Sequence, residues 1–94
     1  MANLVRASIS GSGKMWIEGT CIAEEYTVSG SGDIYSYNLL SDTSDIEISG
    51  SGRVEISVAD YLKANISGSG SIYYRGYPTI DSHISGSGKI VHVN

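Results

Sequence analysis

The sequence is poor in several residue types, and each shortage narrows the class of protein. Its 94 residues include one cysteine, one proline, two methionines and no phenylalanine. The lone cysteine, Cys21, excludes an intrachain disulfide, and we expect it to be a small buried hydrophobe. No apolar run approaches the roughly 18 residues of a membrane span, and the N-terminus lacks the apolar core of a signal peptide. We therefore expect a soluble chain with no transmembrane segment.

Basic residues are also scarce. Six lysines and arginines stand against ten acidic residues, and the formal net charge is −4. The basic residues are scattered along the chain, whereas binding to nucleic acid normally needs them clustered on one face. We expect no nucleic-acid partner and no cofactor.

The residues that are abundant favour strands and tight turns. The chain has 12 glycines and frequent serines, and its bulky apolar residues are mostly Ile, Val, Leu and Tyr. Such β-branched and aromatic side chains fit a pleated sheet, and glycine disfavours long helices. A chain of this length suffices for one domain, which we assign to residues 1–94.

A repeated tetrapeptide is the main signal. Ser-Gly-Ser-Gly occurs at 10–13, 29–32, 49–52, 67–70 and 85–88, so the intervals between copies are 19, 20, 18 and 18 residues. An apolar residue precedes each copy, namely Ile9, Val28, Ile48, Ile66 and Ile84. Another stands two residues beyond each copy, namely Met15, Ile34, Val54, Ile72 and Ile90.

This period predicts an all-β fold, a parallel β-solenoid of about five coils with 18–20 residues in each. Equivalent residues of successive coils should stack about 4.8 Å apart, so both apolar sets become core columns. A third inward column should contain Ile17, Ser36, Ile56, Tyr74 and His92. The glycines should form the corners because they tolerate positive φ and close backbone approach, and we expect serine hydroxyls to bond nearby backbone. These corner glycines are Gly11, Gly13, Gly30, Gly32, Gly50, Gly52, Gly68, Gly70, Gly86 and Gly88.

Alternation along the strands places two columns on the outer surface. The first should be a charge ladder of Lys14, Asp33, Arg53, Ser71 and Lys89. The second contains Trp16, Tyr35, Glu55, Tyr73 and Val91. We predict a binding surface for a glycan or a protein at Trp16, Tyr35, Tyr37, Tyr73 and Tyr77. The alternative is that these rings only pack across strands and stabilise the sheet.

The two longer coils should bulge at 23–26 and 40–45. Four acidic residues cluster there, Glu24, Glu25, Asp42 and Asp45, and loops that bulge from a solenoid are common binding sites. Solvated acidic loops without a ligand are the alternative.

Several chemical functions find little support. Gly11-Ser12-Gly13-Lys14 lacks the spacing of a phosphate loop, and Met15 stands where that motif needs a hydroxyl. An aspartate follows only one repeat, at Asp33, so calcium turns are not expected. Polysaccharide-cleaving solenoids use paired carboxylates, but nothing fixes the separation of the acidic residues here, including Glu47. His83 and His92 suggest no metal site, and no catalytic triad stands out. We predict that the chain is not an enzyme.

The stretch from Arg53 to Ile90 resembles the putative auto-transporter adhesin, head GIN domain family. That family repeats Ile-Ser-Gly-Ser-Gly-x-Ile/Val and closes with Tyr-Tyr-x-Gly-x-Pro, seen here from Tyr73 to Pro78, before a last repeat at Ile84. The resemblance implies a right-handed, single-stranded parallel β-helix in an envelope or secreted protein of bacteria, with no enzymatic activity to carry over. The chain departs from the family in its shorter length and in lacking an export signal.

The predicted function is a non-enzymatic binding or adhesion module of the bacterial envelope. A structural or self-assembling solenoid unit is the alternative, and a polysaccharide-active enzyme is less favoured. Both ends of the solenoid should present open strands without a helical cap, and open edges invite pairing. We therefore expect a homo-oligomer, most simply a dimer, formed through one end or through the aromatic face.

Overall fold

The computed structural model describes residues 2–93, and this part of the chain forms strands and turns without a helix. Alternating apolar and polar residues, interrupted at regular intervals by glycine, divide it into eight strands. These are β1 (Ala2–Gly11), β2 (Lys14–Trp16), β3 (Gly19–Gly30), β4 (Asp33–Gly50), β5 (Arg53–Ser67), β6 (Ser71–Arg75), β7 (Thr79–Ser85) and β8 (Lys89–His92).

All strand pairs are parallel, and each strand pairs with its equivalent in the next turn. The main path of pairing is β1-β3-β4-β5-β6-β8, while β2 pairs with β4 and β7 pairs with β5. Five glycine corners at intervals of 18–20 residues join these strands into a β-solenoid of about five turns. The predicted all-β solenoid is confirmed.

The apolar residues that flank the repeats form the core columns in the predicted register. Ile9, Val28, Ile48, Ile66 and Ile84 are partners across successive strands, as are Met15, Ile34, Val54, Ile72 and Ile90. The side chains of the inner turns are buried. Ile84 is an exception at 42% exposed, and Met15 and Ile90 are half-buried. The expectation of continuous core columns is wrong at these positions because no further described strand covers them.

The corners differ at their two glycines. The first glycine of each repeat has positive φ, between 96° at Gly11 and 119° at Gly50. The second glycine is excluded from carrying a side chain by contact with the turn before it. A Cβ on Gly52 would lie 2.5 Å from Val28 Cγ1 and 2.6 Å from the Gly32 carbonyl oxygen. Glycine is therefore required at the corner for two separate reasons, conformation and space.

Backbone hydrogen bonds join each corner to the next. The amide of Ser51 donates to the Gly30 carbonyl at 3.0 Å, and that of Arg53 donates to the Gly32 carbonyl at 3.2 Å. The corner serines are exposed, and within residues 2–93 their hydroxyls form no hydrogen bond with protein. The expectation that these hydroxyls bond the backbone is wrong, because the amides already link the corners.

The extra residues do not bulge where the sequence pattern suggested. Residues 23–26 pair in register with β1 on one side and β4 on the other. On β4, Ser36 pairs with Ile56 and Leu40 with Ser57, so residues 37–39 have no partner on β5. A smaller irregularity lies between Ser41 and Thr43. The bulge predicted at 23–26 is wrong, and the one predicted at 40–45 begins earlier, at residue 37.

The predicted charge column has the expected register but not the expected ion pairs. Lys14, Asp33, Arg53, Ser71 and Lys89 are partners across strands. Within residues 2–93 no ion pair forms in this column. Asp33 instead accepts a hydrogen bond from the Tyr35 hydroxyl at 3.3 Å, and the Arg53 guanidinium lies 5.2 Å from the centre of the Tyr73 ring. Aromatic neighbours on the same face thus engage both charges.

The space at the corner can be tested with one pair of alanine substitutions. Gly52→Ala should destabilise the fold by about 1–3 kcal/mol, because the new methyl group overlaps Val28 and the Gly32 carbonyl. Gly13→Ala is the matched control, since its Cβ would meet only Ile9 Cγ2, at 3.7 Å. Urea unfolding measures both values. Equal losses of stability in the two variants would contradict the stacked corner.

Candidate functional site

The aromatic residues predicted on the outer surface lie on one face of the solenoid. Trp16 pairs with Tyr35, Tyr35 with Glu55, and Glu55 with Tyr73, and Val91 follows on β8. Their side chains point outward because each lies one residue from a core position, and successive side chains of a strand alternate between faces. The solenoid therefore places them in a single column.

Trp16 and Tyr35 form the most exposed part of this column. Their ring centres lie 5.3 Å apart at an interplanar angle of 24°, which is a stacked arrangement. Tyr35 is half-buried under the pair, whereas Trp16 is 72% exposed. A large apolar ring is thus fixed in position while most of its surface stays open to solvent.

A groove of about 550 Å³ runs beside this pair. Its lining combines three aromatic rings with two carboxylates and one amide. Tyr37 and Asn38 reach it because they belong to the residues of β4 that have no partner on β5. The lining residues are Trp16, Ile17, Glu18, Tyr35, Tyr37, Asn38 and Glu55. The irregular segment thus turns one edge of the flat face into a concave site.

Two arginines on this face sit on tyrosine rings. The guanidinium of Arg53 lies 5.2 Å from the centre of the Tyr73 ring, and that of Arg75 lies 4.4 Å from the centre of Tyr37. Both distances fall within the range of cation–π attraction. Tyr73 and Tyr37 therefore each hold a cation from their own chain.

The tyrosines of the groove experience negative charge. Partial burial, followed by the charges of Asp33 and Glu55, raises the pKa of Tyr35. Burial and Glu55 also raise the pKa of Tyr37, and Arg75 opposes this effect. Both phenols stay protonated at neutral pH and can donate hydrogen bonds.

Tyr77 belongs to a different cluster from the other predicted surface residues. It is 81% exposed, and its ring lies 5.2 Å from that of His92, which in turn lies 5.1 Å from Tyr74. The structure thus brings Trp16, Tyr35 and Tyr37 together at the groove and places Tyr73 beside them in the column.

The four acidic residues predicted to form a loop site point in different directions. Glu24 lies inside the solenoid and is only 1% exposed. Glu25, the next residue, faces outward and forms an ion pair with Arg6 at 2.7 Å. Asp45 is exposed beside it on β4, and Asp42 lines a separate groove. The predicted loop placement is wrong for Glu24 and Glu25, since both lie in the regular part of β3.

The carboxyl group of Glu24 lies in a buried polar cluster that the sequence reasoning missed. Its oxygens accept hydrogen bonds from the Ser44 hydroxyl and from the Tyr26 hydroxyl, the latter at 2.9 Å. Ser41 lies 3.3 Å from Ser44. Burial raises the pKa of Glu24, and the hydrogen bonds from Ser44, Tyr26 and Ser41 oppose this effect. Alternation with buried Val28 could have predicted that Glu24 and Tyr26 face inward.

Cys21 lies near this cluster with its side chain 3% exposed. Burial, together with the charges of Glu24 and Asp42, raises the pKa of its thiol. The predicted buried position is confirmed. A reactive thiolate would require the opposite shift.

The second groove lies beside the irregular part of β4 and has a volume of about 760 Å³. Leu40, 60% exposed, stands on its rim near Asp42, and Val58 and Ala59 lie within it. Arg75 lines this groove while resting on Tyr37, which also lines the first. The two grooves therefore meet at the Tyr37–Arg75 pair.

Two structural searches of residues 2–93 complete the description of the surface. No group of three or more His, Cys, Asp or Glu side chains is arranged to hold a metal ion in this part of the chain. None of the described residues forms a helix of the length and apolar character needed to cross a membrane.

Comparison with protein families agrees with the corner pattern. Residues 1–78 match the model of the family described as putative auto-transporter adhesin, head GIN domain. The chain belongs to this head GIN domain family. The match contains four of the five glycine corners and the whole aromatic groove.

Solved structures from Parabacteroides share the same solenoid. A putative adhesin from Parabacteroides merdae is 28% identical with a TM-score of 0.95, and 98% of this chain covers 39% of that chain. A putative adhesin from Parabacteroides distasonis is 32% identical with a TM-score of 0.94, covering 97% of this chain and 39% of that chain. A putative lipid binding protein from the same species is 34% identical with a TM-score of 0.96, covering 98% and 37%.

The head GIN domain described here spans under two-fifths of the length of these three chains. A search of curated protein sequences gives no match.

The buried carboxyl group predicts an unusual dependence of stability on pH. Because the folded protein raises the pKa of Glu24, the native state binds its proton more tightly than the unfolded chain does. The free energy of unfolding should therefore fall as pH rises above the ordinary value of 4.5, until the folded group has also ionised. The slope from this group is at most about 1.4 kcal/mol per pH unit.

Glu24→Gln should remove this slope and stabilise the protein at neutral pH. Urea unfolding of the wild type and the variant between pH 4 and pH 8, roughly the range in which a raised carboxyl pKa would act, measures the effect. Glu47→Gln, at an exposed site on another column, controls for the loss of one negative charge. A constant difference in stability between wild type and Glu24→Gln across this range would contradict the burial of an ionisable group.

Proposed function

We propose that this head GIN domain is a sugar-binding, adhesion-type module of the bacterial envelope. The observation that supports it best is the Trp16–Tyr35 stack, in which a 72% exposed indole is fixed on the solenoid face beside a groove of about 550 Å³. Exposed rings of this kind mark interaction sites in soluble proteins. The function proposed is binding without turnover.

A sugar suits this site for two physical reasons. The apolar face of a pyranose can lie flat on an aromatic ring and bury its C–H groups against the indole. Its hydroxyls need hydrogen-bonding partners at the edge of the ring, and the groove offers Asn38 together with the carboxylates of Glu18 and Glu55. An apolar platform with polar groups on one side is the combination that orients such a ligand.

The family relationship supports a role in adhesion. Two of the three similar structures are putative adhesins, and the family description contains the same word. We place the module at the cell surface or in the envelope on the same grounds. The acidic residues favour a non-enzymatic role, because Glu24 is buried while Glu25 faces outward against Arg6. No pair of them faces a common substrate in the manner of glycosidase carboxylates.

Removing the indole tests the sugar platform. Trp16→Ala should abolish saturable binding of oligosaccharides, since the ring supplies most of the apolar contact. Isothermal titration calorimetry with cellotetraose, the tetramer of N-acetylglucosamine and the tetramer of glucosamine measures it. We expect at least about a tenfold loss of affinity for the sugar that binds best.

Tyr61→Ala is the matched control, because Tyr61 is a partly exposed aromatic residue in the column of Thr43 and Thr79, away from the groove. This variant should retain binding. Loss of binding in both variants, or in neither, would contradict a sugar site at Trp16. Circular dichroism checks that each variant keeps its strands.

Self-association is a second proposal, supported by the exposure of β7. This strand pairs with β5, and all its side chains are exposed, including Ile80 and Ile84. A second copy stacked on it through β1 would continue the columns, placing Ile9 on Ile84 and Arg6 on Asp81. Sedimentation velocity tests this for the 94-residue chain. A dimer supports end-to-end stacking, and a strict monomer at high concentration contradicts it.

A further inference from the structure

We propose that the ligand of the aromatic groove is cationic, namely a sugar that carries a protonated amine, held over Trp16 and between Glu18 and Glu55. This inference rests on the proposed sugar-binding function and adds the charge of the ligand to it. Three features of the face support it: the use its rings already make of cations, the vacancy of one ring pair, and the charges of the groove.

The rings of this face bind cations within the chain itself. Tyr73 and Tyr37 each carry an arginine, at 5.2 Å and 4.4 Å from ring centre to guanidinium carbon. A cation is drawn to the face of an aromatic ring by the negative charge density there. Two of the three aromatic positions on this face are thus occupied by the protein's own guanidinium groups.

The Trp16–Tyr35 pair is the third position, and no arginine or lysine of residues 2–93 lies over it. Indole attracts cations more strongly than phenol does. The more attractive ring pair is therefore the one that the chain leaves open, with 72% of Trp16 exposed. A ligand cation can take the place that Arg53 and Arg75 take on the neighbouring tyrosines.

The charges around the groove agree with a cationic ligand. Its lining contains Glu18 and Glu55 but no lysine or arginine. Within residues 2–93 neither glutamate takes part in an ion pair. Asp33 adds a third negative charge next to Tyr35, whose hydroxyl donates to it at 3.3 Å. Lys14 and Arg53 lie on the same outer face, but neither lines the groove.

The ring on which the amine is carried follows from the shape of the site. A bare ammonium would need only a small cage, whereas this groove offers a volume of about 550 Å³ and an amide, that of Asn38. A pyranose fills such a space, stacks on the indole and directs its hydroxyls to the amide. An amine on that ring then faces a carboxylate.

Two matched oligosaccharides test the charge. The tetramer of glucosamine carries protonated amines at mildly acidic pH, and the tetramer of N-acetylglucosamine has the same backbone without the charge. We expect the glucosamine tetramer to bind about tenfold more tightly in calorimetry, a preference that weakens as salt is added.

Glu55→Gln should remove most of this preference by weakening the glucosamine tetramer and leaving the acetylated tetramer unchanged. Glu47→Gln, an exposed glutamate outside the groove, is the control and should keep the preference. Choline is a competitor that carries a cation without a sugar ring, and it should displace the tetramer far more weakly than glucosamine does.

The outcomes separate this inference from the proposed function. Equal binding of both tetramers, lost in Trp16→Ala, would overturn the cationic ligand and leave the sugar site standing. A preference that survives Glu55→Gln would also overturn it. Displacement by choline as strong as by glucosamine would contradict a sugar ligand. Binding of neither tetramer, or binding that persists in Trp16→Ala, would overturn both proposals.

Discussion

The close approach of backbones at the glycine corners is the constraint on which the rest of the structure depends. Each corner lies directly on the one before it, so that a Cβ on Gly50 would be 2.5 Å from the Gly30 carbonyl oxygen. Only glycine permits this distance together with positive φ. Because the corners stack directly, the strands on either side pair in register, and the apolar residues that flank each corner meet in the core.

The same register gives the outer face its chemical character. Side chains two residues apart on neighbouring turns form columns at the spacing of paired strands, about 4.8 Å. At this spacing Trp16 rests on Tyr35, and Arg53 reaches the Tyr73 ring one turn away. The proposed binding face is therefore rigid for the same reason that the corners are, which reduces the entropy lost when a ligand is bound.

The sequence predicted the features that follow from periodicity and alternation. The strands, the corners and the register of the columns from Ile9 to Ile66 depend only on the repeat. The exposure of Ile84 was missed because it depends on which strand lies beyond it. The irregular segment at 37–39 was misplaced because an interval of 20 residues shows that two are extra but not where they lie. Glu24 was assigned to a loop because its charge outweighed its position in the alternation.

The groove was only partly predictable for a related reason. Trp16, Tyr35 and Glu55 share a column that can be counted from the corners, whereas Asn38 reaches the groove only because residues 37–39 leave the ladder. The arginine on Tyr37 comes from β6, at a register that pairs Arg75 with Ser57. Side-chain contacts across an irregular segment depend on its conformation, which a repeat does not encode.

Amide hydrogen exchange at the inner corners tests the central claim most directly. A Ser-Gly-rich tether would exchange its amides at the rate of an unfolded chain. In the stacked corner the amides of Ser51, Arg53, Ser69 and Ser71 each donate to a glycine carbonyl of the turn before, at 3.0–3.2 Å. The account predicts that these amides are protected as strongly as those within β4 and β5. Exchange of these four amides at unfolded-chain rates would contradict it.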